Sequence, residues 1–296
     1  TRRVIADVPR QDTVFNRLSL PAGTLDELAA MVHLQIAKEL PFSKEQAVID
    51  FAVVPKEGAT TWDVWVAAIR INVAEYYRQV FTAAGLTLER IGLRPYANVR
   101  ALQALGATEG RVVMVDIGPS MTEINILRDG QLMYTRAASV AVPVLAPGSG
   151  NGQESREDAA GAPVASAPDI EVWPMDNLLI EVNRTIAAYR ATDLGASIDR
   201  IILAGTAGIS DRLVQAFGDR FGVQTEVFAV PDTVHWRPEI EGSAAPFSAC
   251  VGLILSQLGD PTRRFDFIHV KEPKAEHRQR VKRRPVVVAT VAMFAV

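Results

Sequence analysis

The chain has 296 residues, 48% of them apolar, with a formal net charge of −3 and a pI near 5.9. It can bury one large or two ordinary cores, and it has no global attraction to nucleic acid, so basic residues act only where they cluster. One cysteine, Cys250, in an apolar helical run, excludes internal disulfides and cysteine metal sites and is expected to be a small buried hydrophobe. The four histidines lack ligand spacing, and no Ser/His/Asp or paired-carboxylate arrangement stands out.

Residues 4–8 read as a short strand and 9–20 as a loop and second strand. Thr24 with Glu27 is a capping box opening a helix whose apolar face is Leu28, Met31, Val32, Leu34 and Ile36; Leu40-Pro41 stops it. Alternation predicts strands at 46–54 and 62–69. Asn72 is placed to cap a helix that Gly85 ends, and 86–93 reads as a strand. Residues 21–93 would thus form one module, with Tyr76, Tyr77 and Phe81 in its core at helical spacing. Pro95 then sits in the first turn of a helix running to Leu105.

The stretch 111–139 organises the rest. An apolar run from Val112 to Val115 ends in Asp116, with Gly118-Pro119-Ser120 as a turn. Thr122 to Leu127 reads as the returning strand, Asp129-Gly130 as a hairpin signal, and 131–138 as a third strand. Such a turn exposes backbone N–H groups that can cradle phosphate, with the carboxylate holding water or a hydrated metal. The alternative is a tight hairpin and nothing more.

Residues 147–168 carry Gly, Pro, Ser and Ala with almost no large apolar side chains, the composition of a disordered loop. Order resumes at Asp176, placed to cap a helix through Ala191. A strand at 198–203 feeds Ala204-Gly205-Thr206-Ala207-Gly208 and a helix at 210–221, small residues that let a ligand approach a helix N-terminus. A strand at 223–227, a last helix at 244–258 and an exposed strand at 263–270 follow. Residues 261–284 form a basic juxtamembrane segment, and 285–296 are apolar, which together read as the approach to a transmembrane helix whose preceding domain stays cytoplasmic.

Three pieces in order, VVMVDIGPSMTEINIL, IDRIILAGTAGISDRL and FSACVGLILSQL, resemble the PilM-type actin-like proteins of type IV pilus assembly, relatives of FtsA in the Hsp70 superfamily. The resemblance implies an α/β, actin-like (ribonuclease H-like) two-lobe ATPase fold. Its first lobe would span 1–110, incomplete at the N-terminus and with an inserted subdomain at about 21–93; its reduced second lobe would span 111–260. By the same resemblance Asp116, Gly118 and Thr122 form a phosphate loop and Gly205, Thr206 and Gly208 the adenosine-side loop, with ATP and Mg as the candidate cofactors. The family's first phosphate loop precedes the start of this sequence, and Pro119 removes one N–H donor, so little or no ATPase activity is expected.

The tail looks like a PilN-type membrane segment joined in one polypeptide, a layout similar to GspL of type II secretion, with Phe265, Phe267 and Ile268 as partner-binding residues. The function implied is that of a scaffold rather than an enzyme, on the cytoplasmic face of an inner-membrane assembly platform, single-pass anchored. Its partners would be PilN/PilO-like proteins, the assembly ATPase and itself. An ATP-binding actin-like ATPase and an FtsA-like polymerising anchor are the rivals. The reading requires 111–139 and 198–222 to line opposite sides of one crevice.

Overall fold

Alternation and strand length settle the N-terminal elements. The strand expected at 4–8 is β1 (Arg2–Val8), parallel to β5 (Leu86–Leu93) with Ala6 opposite Ile91. Between them in sequence come β2 (Val14–Pro21), α1 (Leu25–Ile36), β3 (Ala47–Val54) and β4 (Thr61–Arg70). These three strands make an antiparallel sheet in the order β2-β4-β3. This computed structural model describes residues 2–140, 175–193, 196–206, 209–230 and 244–273. The loop at 147–168, Gly208, residues 274–284 of the basic segment and the apolar run 285–296 lie outside the described residues.

The capping box is made: the Glu27 N–H donates to the Thr24 side chain, and the Thr24 N–H donates back to Glu27 at 2.8 Å. From there Leu28, Val32 and Ile36, four apart, press onto Ile49, Phe51, Val64 and Val66. Leu34 is off that spacing and is 68% exposed, so it leaves the expected apolar face. The other face of the sheet, with Phe15, Ala52 and Trp65, joins the central core.

Strand pairing redraws the inserted module. β5 pairs with β1, and α2 (Ile71–Ala83) packs mainly against β5, so the three-stranded sheet and α1 occupy 14–70 rather than 21–93. The helix follows β4 without a loop: Arg70 holds the N-cap position with no side-chain bond, and Asn72 falls inside the first turn instead of capping it. Ala74 is the buried residue of α2, while Tyr76 is 65% exposed and Tyr77 and Phe81 are half-buried. A helix over two strands covers only a narrow stripe, so of the expected aromatic triplet Tyr77 packs against the edge of the core while Tyr76 faces outward.

A five-stranded sheet has the order β10-β9-β6-β7-β8, from β6 (Arg111–Ile117), β7 (Thr122–Arg128), β8 (Gln131–Ala138), β9 (Arg200–Ala204) and β10 (Gln224–Val227). The β7–β8 hairpin turns through Asp129 and Gly130, both at positive φ (51° and 71°), as the two-residue signal requires. Val113, Val115 and Ile117 face α4 (Met175–Thr192) and α5 (Asp211–Phe221, capped by Ser210). Because α4 already begins at Met175, Asp176 lies in its first turn and is not the cap. Val112 and Met114 point the opposite way, into a core shared with α3 (Arg94–Ala104) and α6 (Ser248–Gln257).

The α3–α6 pair therefore sits between the five-stranded sheet and the β1–β5 pair. At their crossing a Cβ on Gly252 would stand 1.8 Å from the Ala97 carbonyl oxygen, so the helices touch backbone to backbone. Gly252→Ala is expected to cost about 1–3 kcal/mol by forcing them apart, read as a lower urea midpoint. A parent-like midpoint would show that the crossing yields freely.

Residues 264–271 correct the expectation of an exposed strand. They make no ladder; Phe265 and Phe267 are 2% and 1% exposed, and Ile268 is half-buried. The Phe267 N–H donates to the Ile91 carbonyl at 2.9 Å, and Lys271 reaches Asp50 on β3, itself 0% exposed, with Nζ 3.0 Å from both carboxylate oxygens. The segment thus straps the three-stranded sheet to β5. No helix among the described residues is long and apolar enough to cross a membrane.

Candidate functional site

Parallel strands direct their carboxyl ends to one edge, and the crevice there is where open α/β sheets bind ligands. Asp7 and Asp116 are the penultimate residues of β1 and β6, Thr206 lies two residues past β9, and all three line one cleft of about 470 Å³. The turn from Gly118 to Met121 forms one lip; the N-terminal ends of α3 (Arg94) and α6 (Ser248, Ala249, Cys250) form the facing wall. Stretches 111–139 and 198–222 therefore share the crevice, but side by side on adjacent strands β6 and β9, and the opposite wall comes from β1, α3 and α6; the requirement that they face each other across it is not met, and the actin-like fold does not rest on it.

Of the residues expected to hold a nucleotide, Asp116, Gly118 and Thr206 line the cleft. Thr122 is fully buried behind it, and Gly205 sits under the floor at φ +118°, where a Cβ would come within 2.1 Å of the Ile117 oxygen. Close strand packing thus requires a glycine at 205 with or without a ligand. Cys250, expected to be buried, is exposed on the cleft wall, because α6 turns that side away from α3.

Sequence reading missed four groups. Asp7 accepts two bonds from Arg94 at 2.8 and 3.2 Å, and Asn98 donates to Asp116 at 2.9 Å while accepting from Ser248 at 3.1 Å. Glu123, 3% exposed, accepts the Arg10 N–H at 2.6 Å on Oε1; its buried Oε2 has no hydrogen-bond partner. Asp7 is the penultimate residue of its strand as Asp116 is of its own, and that shared position was the legible signal; nothing local marks Glu123.

Burial pushes the Glu123 carboxyl up to about 8, with Asp116 and Asp7 adding repulsion against Arg94. Burial also raises Asp116, opposed by the Asn98 bond and by Arg94. A carboxyl raised on folding stabilises fully below its unfolded value, near 4.5, and that contribution is lost as pH climbs through 8. Glu123→Gln is therefore expected to flatten the fall in Tm between pH 5 and 8, a slope of at most about 1.4 kcal/mol per pH unit, and to melt above the parent at pH 9. Parallel Tm-against-pH curves for the two proteins would overturn this.

A polyphosphate needs free donors, and the expected loops hold few. The Gly118 N–H is used by the Met121 carbonyl (3.0 Å), Pro119 has none, and the Gly205 N–H is used by the Ala245 carbonyl (2.9 Å). The cation on the cleft wall, Arg94, is paired to Asp7. Among the described residues, Gly118, Pro119 and Gly205 thus offer no free amide to a nucleotide triphosphate.

Residues 1–141 match the family model of the type IV pilus assembly protein PilM. Among solved structures, the chain is similar to a PilM–PilN type IV pilus biogenesis complex, with 18% identity, coverage of 88% of this chain and 80% of that one, and a TM-score of 0.67. It is also similar to the cytoplasmic domain of EpsL, an inner membrane component of the type II secretion system of Vibrio cholerae, at 12% identity, 90% and 78% coverage and a TM-score of 0.45. A third is Ta0583, an archaeal actin homolog in complex with ADP, at 15% identity, 59% and 58% coverage and a TM-score of 0.33. The actin-like fold and the resemblance to PilM-type proteins expected from the sequence are borne out.

Proposed function

We propose, from the likeness to PilM over residues 1–141, that this chain is an actin-like scaffold of a type IV pilus or type II secretion inner-membrane platform. It works by binding partner proteins, with weak or absent ATP hydrolysis. The match to the PilM family model carries the assignment; the cleft chemistry supports the absence of turnover, since the amides of Gly118 and Gly205 are engaged internally and three carboxylates line the floor. PilN/PilO-like proteins are the partners this reading names. The 265–268 segment, with Phe265, Phe267 and Ile268, is read as a partner-type peptide carried in the same chain and seated in its own groove. The basic and apolar tail that follows is read as the tether to the cytoplasmic face of the membrane, and the lobe boundary is placed near residue 110.

Isothermal titration of ATP with Mg²⁺ into the intact protein tests the cleft; no measurable heat is expected. Micromolar affinity, about −8 kcal/mol, with phosphate release would instead favour an actin-like ATPase. Co-purification with the platform proteins after crosslinking tests the scaffold, and ATP-dependent filaments by electron microscopy would favour an FtsA-like anchor.

A further inference from the structure

We propose that the cleft at the carboxyl ends of β1, β6 and β9 receives an organic cation, the guanidinium or ammonium group of a basic side chain or a free amine. This rests on the reading above that the cleft does not hold ATP. Three carboxylates line it, Asp7, Asp116 and Glu123, against one guanidinium in the lining, Arg94, which is already committed to Asp7 through two bonds, and a second, Arg10, that attracts Glu123 from outside the lining. Asp116 receives a single side-chain N–H, from Asn98, and the second oxygen of the buried Glu123 receives none. The floor is thus short of donors, and a charged donor is what a buried carboxylate oxygen without a partner calls for.

Size and lining narrow the class. The space of about 470 Å³ far exceeds one ion, and no three acidic, histidine or cysteine side chains among the described residues converge to hold a metal. Pro9, Pro119, Met121 and Pro246 offer apolar wall to the methylene stem that carries a guanidinium or ammonium head. The groups facing Glu123 are Asp7 from β1, Asp116 from β6, Arg94 from α3 and Arg10 after β1. Since Glu123 takes up its proton near pH 8, a cation displaces that proton at neutral pH and binds more tightly in alkali.

The test is calorimetric titration of the intact protein with agmatine, with a capped arginine-containing peptide, with Mg²⁺ alone and with MgATP, at pH 6 and pH 9. Agmatine or the peptide is expected to bind about tenfold or more tightly at pH 9 than at pH 6, with proton release at pH 7 that scales with the buffer's ionisation enthalpy. Glu123→Gln, checked for folding by its melting curve at pH 6, is expected to abolish both the pH dependence and the proton release. A peptide that outbinds agmatine assigns the site to a docked basic side chain; equal affinities assign it to a free amine. Silence from both at pH 9, or a pH dependence undiminished in Glu123→Gln, overturns the inference while leaving the ATP reading of the cleft unchanged. Binding of MgATP at micromolar concentration overturns both readings, and binding of Mg²⁺ alone overturns this one.

Discussion

Replacing Asp50 with alanine is expected to lower the unfolding free energy by about 3–5 kcal/mol, the scale for breaking a buried ion pair from one side. The Asp50 carboxylate is 0% exposed and accepts from the Asp266 N–H (2.7 Å), the Lys271 N–H (3.1 Å) and the Lys271 ammonium (3.0 Å). Burial pushes this carboxyl up, while the ammonium and the two backbone donors oppose that push. In the alanine variant the Lys271 side chain, only 11% exposed, keeps the Arg264 carbonyl at 2.8 Å but loses its counter-charge, and two backbone donors lose their acceptor. The strap would then open before the rest of the domain, so fast amide exchange at Asp266 and Lys271 should accompany the lower denaturation midpoint. Asp50→Leu with Lys271→Met removes both charges and is expected to recover most of the loss. A single-variant loss below about 1 kcal/mol would mean the pair is solvated in solution.

Phe265→Ala and Phe267→Ala are each expected to cost about 3–5 kcal/mol through the cavity left behind. Phe265 meets Tyr96 edge-on at 5.2 Å and Phe15 at 6.0 Å, with Phe267 at 6.1 Å. These rings fill the seam where the three-stranded sheet meets β5 and α3, so both losses should appear in the cooperative denaturation of the domain and fall short of additive in the double variant. Losses under about 1 kcal/mol, with unchanged melting and only increased protease sensitivity after residue 260, would show that the strap rides on a domain complete without it. That outcome would also weaken the reading of 265–268 as a peptide seated firmly in its own groove.

Much of the fold was legible because its signals are local. The Thr24–Glu27 box, the Asp129-Gly130 turn, the stop at Gly85 and the strand at 86–93 each depend on neighbours within four residues, and each appears in place. The site was half legible. Asp116, Gly118 and Thr206 reach the cleft as the turn chemistry indicated, whereas the glycine at 205 answers to Ile117, and Glu123, Arg94 and Asn98 carry no motif.

By itself, then, the sequence determined the elements other than the strand expected at 263–270, their order and the carboxylate near the end of β6 at Asp116, since propensity, capping and alternation are written in adjacent residues. Tertiary structure alone decided that β5 joins β1 rather than the inserted sheet, that Tyr76 and Cys250 face outward, and that Phe265 and Phe267 are core. It also decided the charge balance of the cleft. Burial and pairing are properties of segments brought together from distant positions, as Asp50 meets Lys271 across 221 residues, and no local pattern encodes which of many apolar or charged side chains will meet.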